Sequence, residues 1–203
     1  MKTLILPFVR GFADIDGFAT ASLSCVPWPD AFPYKPEVTV RVAHDADSLL
    51  VRFEVEEEGL RAVCLESNGP VWEDDCVEFF VKAPGSKYYF NFETNCLGVG
   101  LAAKRLSRSE FNHFDEEDMA RIVRRSSLEC KPVDLEGRQT WSLELQIPFS
   151  VLDCGPKPAA FEANFYKCGD KTAVPHYTCW NPILLPEPDF HRPDFFGRLE
   201  LEW

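Results

Sequence analysis

The sequence predicts an all-β chain: an antiparallel β-sandwich of two packed sheets, jelly-roll or immunoglobulin-like, with little helix. Three observations carry that prediction. A hydrophobic period of two recurs from Val38 to Leu201, turn signals separate the runs, and no long helical period lies between them.

The elements follow in order. The stretch up to Pro36 is rich in Pro and aromatics and reads as chain packed along the sandwich edge. Val38 to Val42 is a strand. Leu49, Val51, Phe53 and Val55 alternate with Leu50, Arg52, Glu54 and Glu56. Val77, Phe79 and Val81 alternate with Glu78, Phe80 and Lys82, and Tyr88, Phe90 and Phe92 with Tyr89, Asn91 and Glu93. Further runs start at Trp141 and Phe161, and Leu199 and Leu201 close the chain. Each pattern describes a strand with one face toward a core. Turn residues at 45–48, 83–86, 136–137 and 169–170 separate them, and 84–87 reads as a hairpin. Pro148 to Leu152 suits one helical turn, and the irregular stretch 109–125 a short helix after Asp115. Four prolines across 182–194 predict an extended surface loop, because proline donates nothing to a ladder. No repeat or boundary divides the chain, so residues 1–203 read as one domain.

Composition narrows the partners. Lys and Arg number 21 against 33 Asp and Glu, a net charge of −12 that repels phosphate backbones and anionic lipid. Nucleic acid and membrane are therefore not expected as partners, whereas a neutral sugar is compatible with either sign. The runs Glu56-Glu57-Glu58 and Asp115-Glu116-Glu117-Asp118 read as solvated faces in preference to cation sites. None of the eight cysteines shows CxxC or zinc-finger spacing. Cys76, Cys96 and Cys168 fall in or beside apolar runs and read as buried free thiols. That usage, with no visible export signal near Met1, points to a reducing compartment; a removed leader would leave no trace. No stretch approaches the roughly 18 apolar residues of a membrane span.

Three segments carry candidate chemistry. In Val71 to Phe80, Trp72 sits in a polar loop, and six residues later Glu78 lies on the strand face opposite Val77 and Phe79. A sugar needs a flat aromatic surface for its C–H groups and polar side chains for its hydroxyls, and this pair supplies one of each. The plainer reading makes Trp72 a cap on the sandwich and Glu78 a solvated residue. In Pro175 to Pro182, Trp180 lies beside Tyr177 and Asn181, equally suited to a second sugar platform or to a core plug. In Tyr88 to Asn95, Asn91 and Glu93 share a face, and antiparallel pairing brings Asn91 toward Glu78. Asn95 precedes Gly98 and reads first as a turn residue.

Together these segments, with Phe165-Tyr166-Lys167, Gly169-Asp170 and the ending His191 to Leu199, resemble the family 9 carbohydrate-binding modules. The resemblance runs from about Val38 to Trp203. It implies an antiparallel sandwich in which two Trp side chains hold a terminal sugar, a Glu and amides take its hydroxyls, and structural calcium ions can be present. Carried onto this chain, it implies Trp72 and Trp180 as the clamp, Glu78 as the acidic contact, and Asn91 and Asn95 as polar contacts. Tyr177 stands where an amide is expected. Such modules usually accompany a hydrolase, so the resemblance also implies a place in carbohydrate breakdown.

Two other classes compete. A glycosidase needs paired carboxylates, yet no second partner for Glu78 is marked by the sequence. The four His are scattered and no GxSxG is present. A protein-interaction sandwich that has lost sugar binding would use the 182–194 loop, with Phe190, Phe195 and Phe196, as a docking surface. The same rings would otherwise close the core.

Overall fold

A computed structural model describes all 203 residues. Thirteen strands form it: β1 (Thr3–Leu6), β2 (Ala19–Ser22), β3 (Glu37–His44), β4 (Ser48–Ala62), β5 (Cys76–Lys82), β6 (Tyr89–Asn95), β7 (Gly100–Arg105), β8 (Phe111–His113), β9 (Val123–Ser126), β10 (Val133–Pro148), β11 (Ala160–Cys168), β12 (Tyr177–Cys179) and β13 (Gly197–Leu201). The larger sheet runs β1-β13-β11-β5-β6-β7-β8, with β12 also paired to β11; the smaller runs β2-β3-β4-β10-β9. The sandwich is as expected except at one edge, where β1 runs parallel to β13. The N-terminal segment thus contributes strands to both sheets, β2 pairing with β3.

The expected short helix is α1 (Glu116–Arg121), N-capped by Asp115, whose side chain accepts from the Asp118 N–H. Phe149–Val151 makes the single turn anticipated after Pro148.

The core lies between the sheets. Inward-facing Phe79 stacks on Phe165 at 5.0 Å, and Phe53 of the smaller sheet meets Phe165 edge-on at 6.2 Å. These rings are fully buried. Simple alternation fails for the middle of the larger sheet. Cys76 through Val81 of β5 and all of β6 are buried on both faces. The cause is the 182–194 segment, the expected proline-rich surface loop, which lies across the outer face. Phe190 stacks on Tyr166 at 4.2 Å, and His191 packs on Phe80 at 4.9 Å. Phe190 and Phe196 are buried, which removes them as a docking surface.

Charged groups also lie between the sheets. Lys167 on β11 is fully buried, its ammonium 2.8 Å from Asp75 and 2.7 Å from Glu57. Glu57 belongs to β4, so this contact bridges the two sheets, and it corrects the expectation of a wholly solvated Glu56–Glu58 run. Glu57 also accepts from the Trp141 indole at 2.6 Å. His176 Nδ1 lies 2.8 Å from the Val174 carbonyl and Nε2 lies 2.6 Å from the ammonium, so Nδ1 carries the proton and Nε2 accepts. Burial, then the adjacent ammonium, pushes His176 down to about 3, which keeps it neutral. Burial raises Glu57 to about 7 against the pull of Lys167. Lys167→Met leaves buried carboxylates without a cation and is expected to cost about 3–5 kcal/mol, read by urea denaturation.

Candidate functional site

The doubly covered region forms the floor of a cleft of about 330 Å³ on the outer face of the larger sheet. Its floor comes from alternation. Glu78 on β5 is directly opposite Glu93 on β6, and Cys168 on β11 is opposite Cys76. Odd-numbered neighbours such as Phe79 point into the core, so Glu78 and Cys168 point out. One wall is the turn Val71–Glu73, which carries Trp72. Two backbone bonds pin it to the loop after β11: Asp170 N–H to the Trp72 carbonyl at 3.2 Å and Lys171 N–H to Glu73 at 2.9 Å. Trp72 remains 37% exposed and lines the cleft, so part of its indole is open to a ligand there. A second aromatic wall is Tyr177, with Trp28 and Phe190 each packed edge-to-face on it and the Trp28 indole donating to the Leu185 carbonyl at 2.8 Å.

The polar floor is tightly organised. Asn91 donates to Glu93 at 2.7 Å and accepts from Arg105 Nε at 2.6 Å. Arg105 in turn lies 4.1 Å over the exposed Phe111 ring. Burial raises Glu93 to about 7, with Arg105 and Asn91 holding it back from rising further. Burial, then the neighbouring Cys168 and Glu93, pushes Glu78 well above the usual carboxylate range. Its one hydrogen-bond partner is the Cys168 thiol at 3.1 Å. Burial lowers His191 to about 3, so it meets the Tyr89 hydroxyl, 3.1 Å away, as a neutral ring.

Of the six residues singled out in the sequence, Trp72, Glu78 and Tyr177 line this cleft. Asn91 lies beneath it and acts through Glu93 and Arg105. Asn95 does not reach it. Its carbonyl oxygen accepts from Leu97 and Val99 and its amide donates to Cys64 and Asp74, which closes the turn at Gly98 (φ +85). Trp180 is not in the cleft either. It is 4% exposed, packs against Phe165 at 5.6 Å, and fills the space over Gly197, where a Cβ would strike the indole. The reason is alternation: Tyr177 and Trp180 are three residues apart in extended chain and face opposite ways. The second indole at the cleft is Trp28. Sequence reasoning also missed Glu93, Arg105, Asp170 and His191. Glu93 carried a usable signal, since it shares a face with Asn91 and pairs with Glu78 itself. Asp74 and Asp75 are buried in structural bonds to Arg61, Asn95 and Lys167.

The chain matches the family described as carbohydrate-binding family 9 over residues 9–201. It is similar to a Bacteroides uniformis protein described as a "putative carbohydrate-binding protein", with 38% identity, 99% of each chain covered and a TM-score of 0.93. It also shares its fold with a family 9 module of Caldicellulosiruptor kristjanssonii. The glucose complex of that module gives 12% identity, a TM-score of 0.61 and coverage of 99% of this chain and 96% of that one. Its cellotriose complex gives 13%, 0.62, 99% and 94%. No curated protein matches.

The different placement of the two tryptophans predicts different stability effects. Trp180→Ala opens a core cavity and should cost roughly 3–5 kcal/mol. Trp72→Ala should cost about 1 kcal/mol or less. Chemical denaturation of the two variants separates them.

Proposed function

Because this chain belongs to carbohydrate-binding family 9, we propose that it binds a sugar or the end of an oligosaccharide, without catalysis, in the cleft over Glu78 and Glu93. The observation that carries this reading is the exposed Trp72 indole set beside a buried, hydrogen-bonded polar floor. A pyranose has an apolar face and a ring of hydroxyls at right angles to it, and this cleft offers a surface for each. Trp72 is the main platform, and Tyr177 with Trp28 forms a second aromatic wall in place of the Trp72–Trp180 clamp. Glu78 and Glu93 hydrogen-bond the sugar hydroxyls, Arg105 donates, and Asn91 positions both Glu93 and Arg105. Placed so, the chain would serve carbohydrate breakdown as a recognition module.

Glu93 supplies the second carboxylate that the sequence had not marked, so hydrolysis deserves comparison. Hydrolases set two carboxyl groups on opposite sides of the scissile bond. Glu78 and Glu93 stand side by side on adjacent strands of one floor, which suits hydroxyl binding. Release of reducing sugar that disappears in Glu78→Gln would overturn the non-catalytic reading.

Calorimetric titration with glucose, cellobiose and a panel of other mono- and disaccharides tests the binding reading. Trp72→Ala should weaken the sugar that binds by roughly ten- to hundred-fold, the equivalent of burying about 1–3 kcal/mol of ring surface. Binding undiminished in a folded Trp72→Ala protein contradicts it. The pH dependence has a definite sign. An ionised Glu93 is the stronger acceptor, so affinity should fall as pH drops through about 7. A charge-assisted bond gains about 1 kcal/mol over a neutral one, so the change is roughly five-fold. Glu93→Gln should flatten the profile.

A further inference from the structure

We propose that Cys76, Glu78 and Cys168 form a binding site for a thiophilic divalent cation, Zn²⁺ in the first instance, in the floor of the cleft. The cluster is built by register. Cys76 and Cys168 are direct partners across β5 and β11, and Glu78 lies two residues along β5 on the same face. The two sulfurs and a Glu78 oxygen all lie within 4.8 Å of one another. In tetrahedral zinc sites Zn–S is about 2.3 Å and Zn–O about 2.0–2.2 Å, which sets neighbouring sulfurs about 3.8 Å apart. That spacing lies inside the 4.8 Å that bounds the cluster. All three side chains are buried, so the ligands are held by the fold.

Two further observations point to a cation. First, Glu78 is the buried carboxylate without one. Asp74 pairs with Arg61, Asp75 and Glu57 share Lys167, and Glu93 reaches Arg105 through Asn91. Glu78 meets only the Cys168 thiol. Second, the chain contains a comparable cluster, Glu57, Asp75 and His176, and there a cation is already present: the Lys167 ammonium, 2.6 to 2.8 Å from each. No side-chain cation occupies the Cys76 cluster.

The donor set selects the metal. Two thiolates and one carboxylate suit Zn²⁺ and its soft relatives and not Ca²⁺ or Mg²⁺, which take oxygen ligands. On binding, each thiol and any protonated Glu78 carboxyl give their protons to solvent, and three anionic ligands around a 2+ ion leave a net charge of −1. Cys168 and Glu78 line the cleft, so the fourth coordination position opens toward it, to water or to a bound hydroxyl. The proposal stands independently of sugar binding.

Chelator-treated, reduced protein titrated with Co²⁺ tests it. Thiolate ligation gives a sulfur-to-cobalt charge-transfer band in the near ultraviolet, and tetrahedral geometry gives strong visible bands. One equivalent should develop both, and Zn²⁺ should displace it. Cys76→Ser and Cys168→Ser should each weaken binding by at least about 100-fold, since even indirect ligand support is worth roughly 10–100-fold. Glu78→Gln, which keeps the side-chain size, should weaken binding at least ten-fold and covers the case in which a Cys variant does not fold. Absence of the bands in the wild type overturns the proposal. So do bands that persist in the variants, which would mark other cysteines as the ligands. Mass spectrometry showing Cys76 and Cys168 joined in a disulfide in the reduced sample would overturn it as well.

Discussion

The ammonium of Lys167, held between Asp75 and Glu57, is the contact on which the geometry of the cleft depends. It lies inside the sandwich and joins the two sheets. Its value is in register more than in net energy, because desolvating three charges offsets most of their attraction. A one-residue slip of β11 would turn Lys167 outward and every neighbouring side chain with it. With Lys167 fixed inward, Tyr166 and Cys168 must face outward, opposite Glu78 and Cys76. Asp75 immediately precedes β5, so the same contact also fixes where that strand begins and how the Trp72 turn leaves it.

The second constraint is the cover on the outer face. A sheet with one wet face needs no polar network there, but the strands here are buried on both sides. Polar groups on a covered face must find partners. Arg105, Asn91 and Glu93 answer that need among themselves, and the Trp28 indole and Tyr166 hydroxyl answer it with carbonyls of the covering segment. Where the cover stops, between the Trp72 turn and the Phe190 wall, the polar floor opens to the cleft. The cleft is thus the uncovered remainder of a face that is otherwise buried.

Much of this was legible in the sequence, for identifiable reasons. Alternation located β4, β5, β6, β10 and β11, because each has an apolar inward face. It placed Glu78 outward and paired its strand with the next through the 84–87 hairpin. The exact rung was off by two, so Asn91 was brought toward Glu78 where Glu93 belongs. Trp180 carries a family motif, but alternation sets it opposite Tyr177 and into the core. Trp28 was not legible at all. It lies in a segment without periodicity, and only the tertiary path of the chain carries it to the cleft. Glu57 looked solvated because a run of three glutamates hides which one faces in.

The central claim is that the outer-face cleft, and not the sandwich interior or another surface, receives the sugar. The most direct measurement is the chemical shift of the five tryptophan indole N–H groups during titration with the sugar found to bind. The account predicts saturable shifts at Trp72 and at Trp28, with Trp141 and Trp180 unmoved in the core. Shifts confined to Trp203 or to the core indoles, with Trp72 unchanged at saturation, would contradict it.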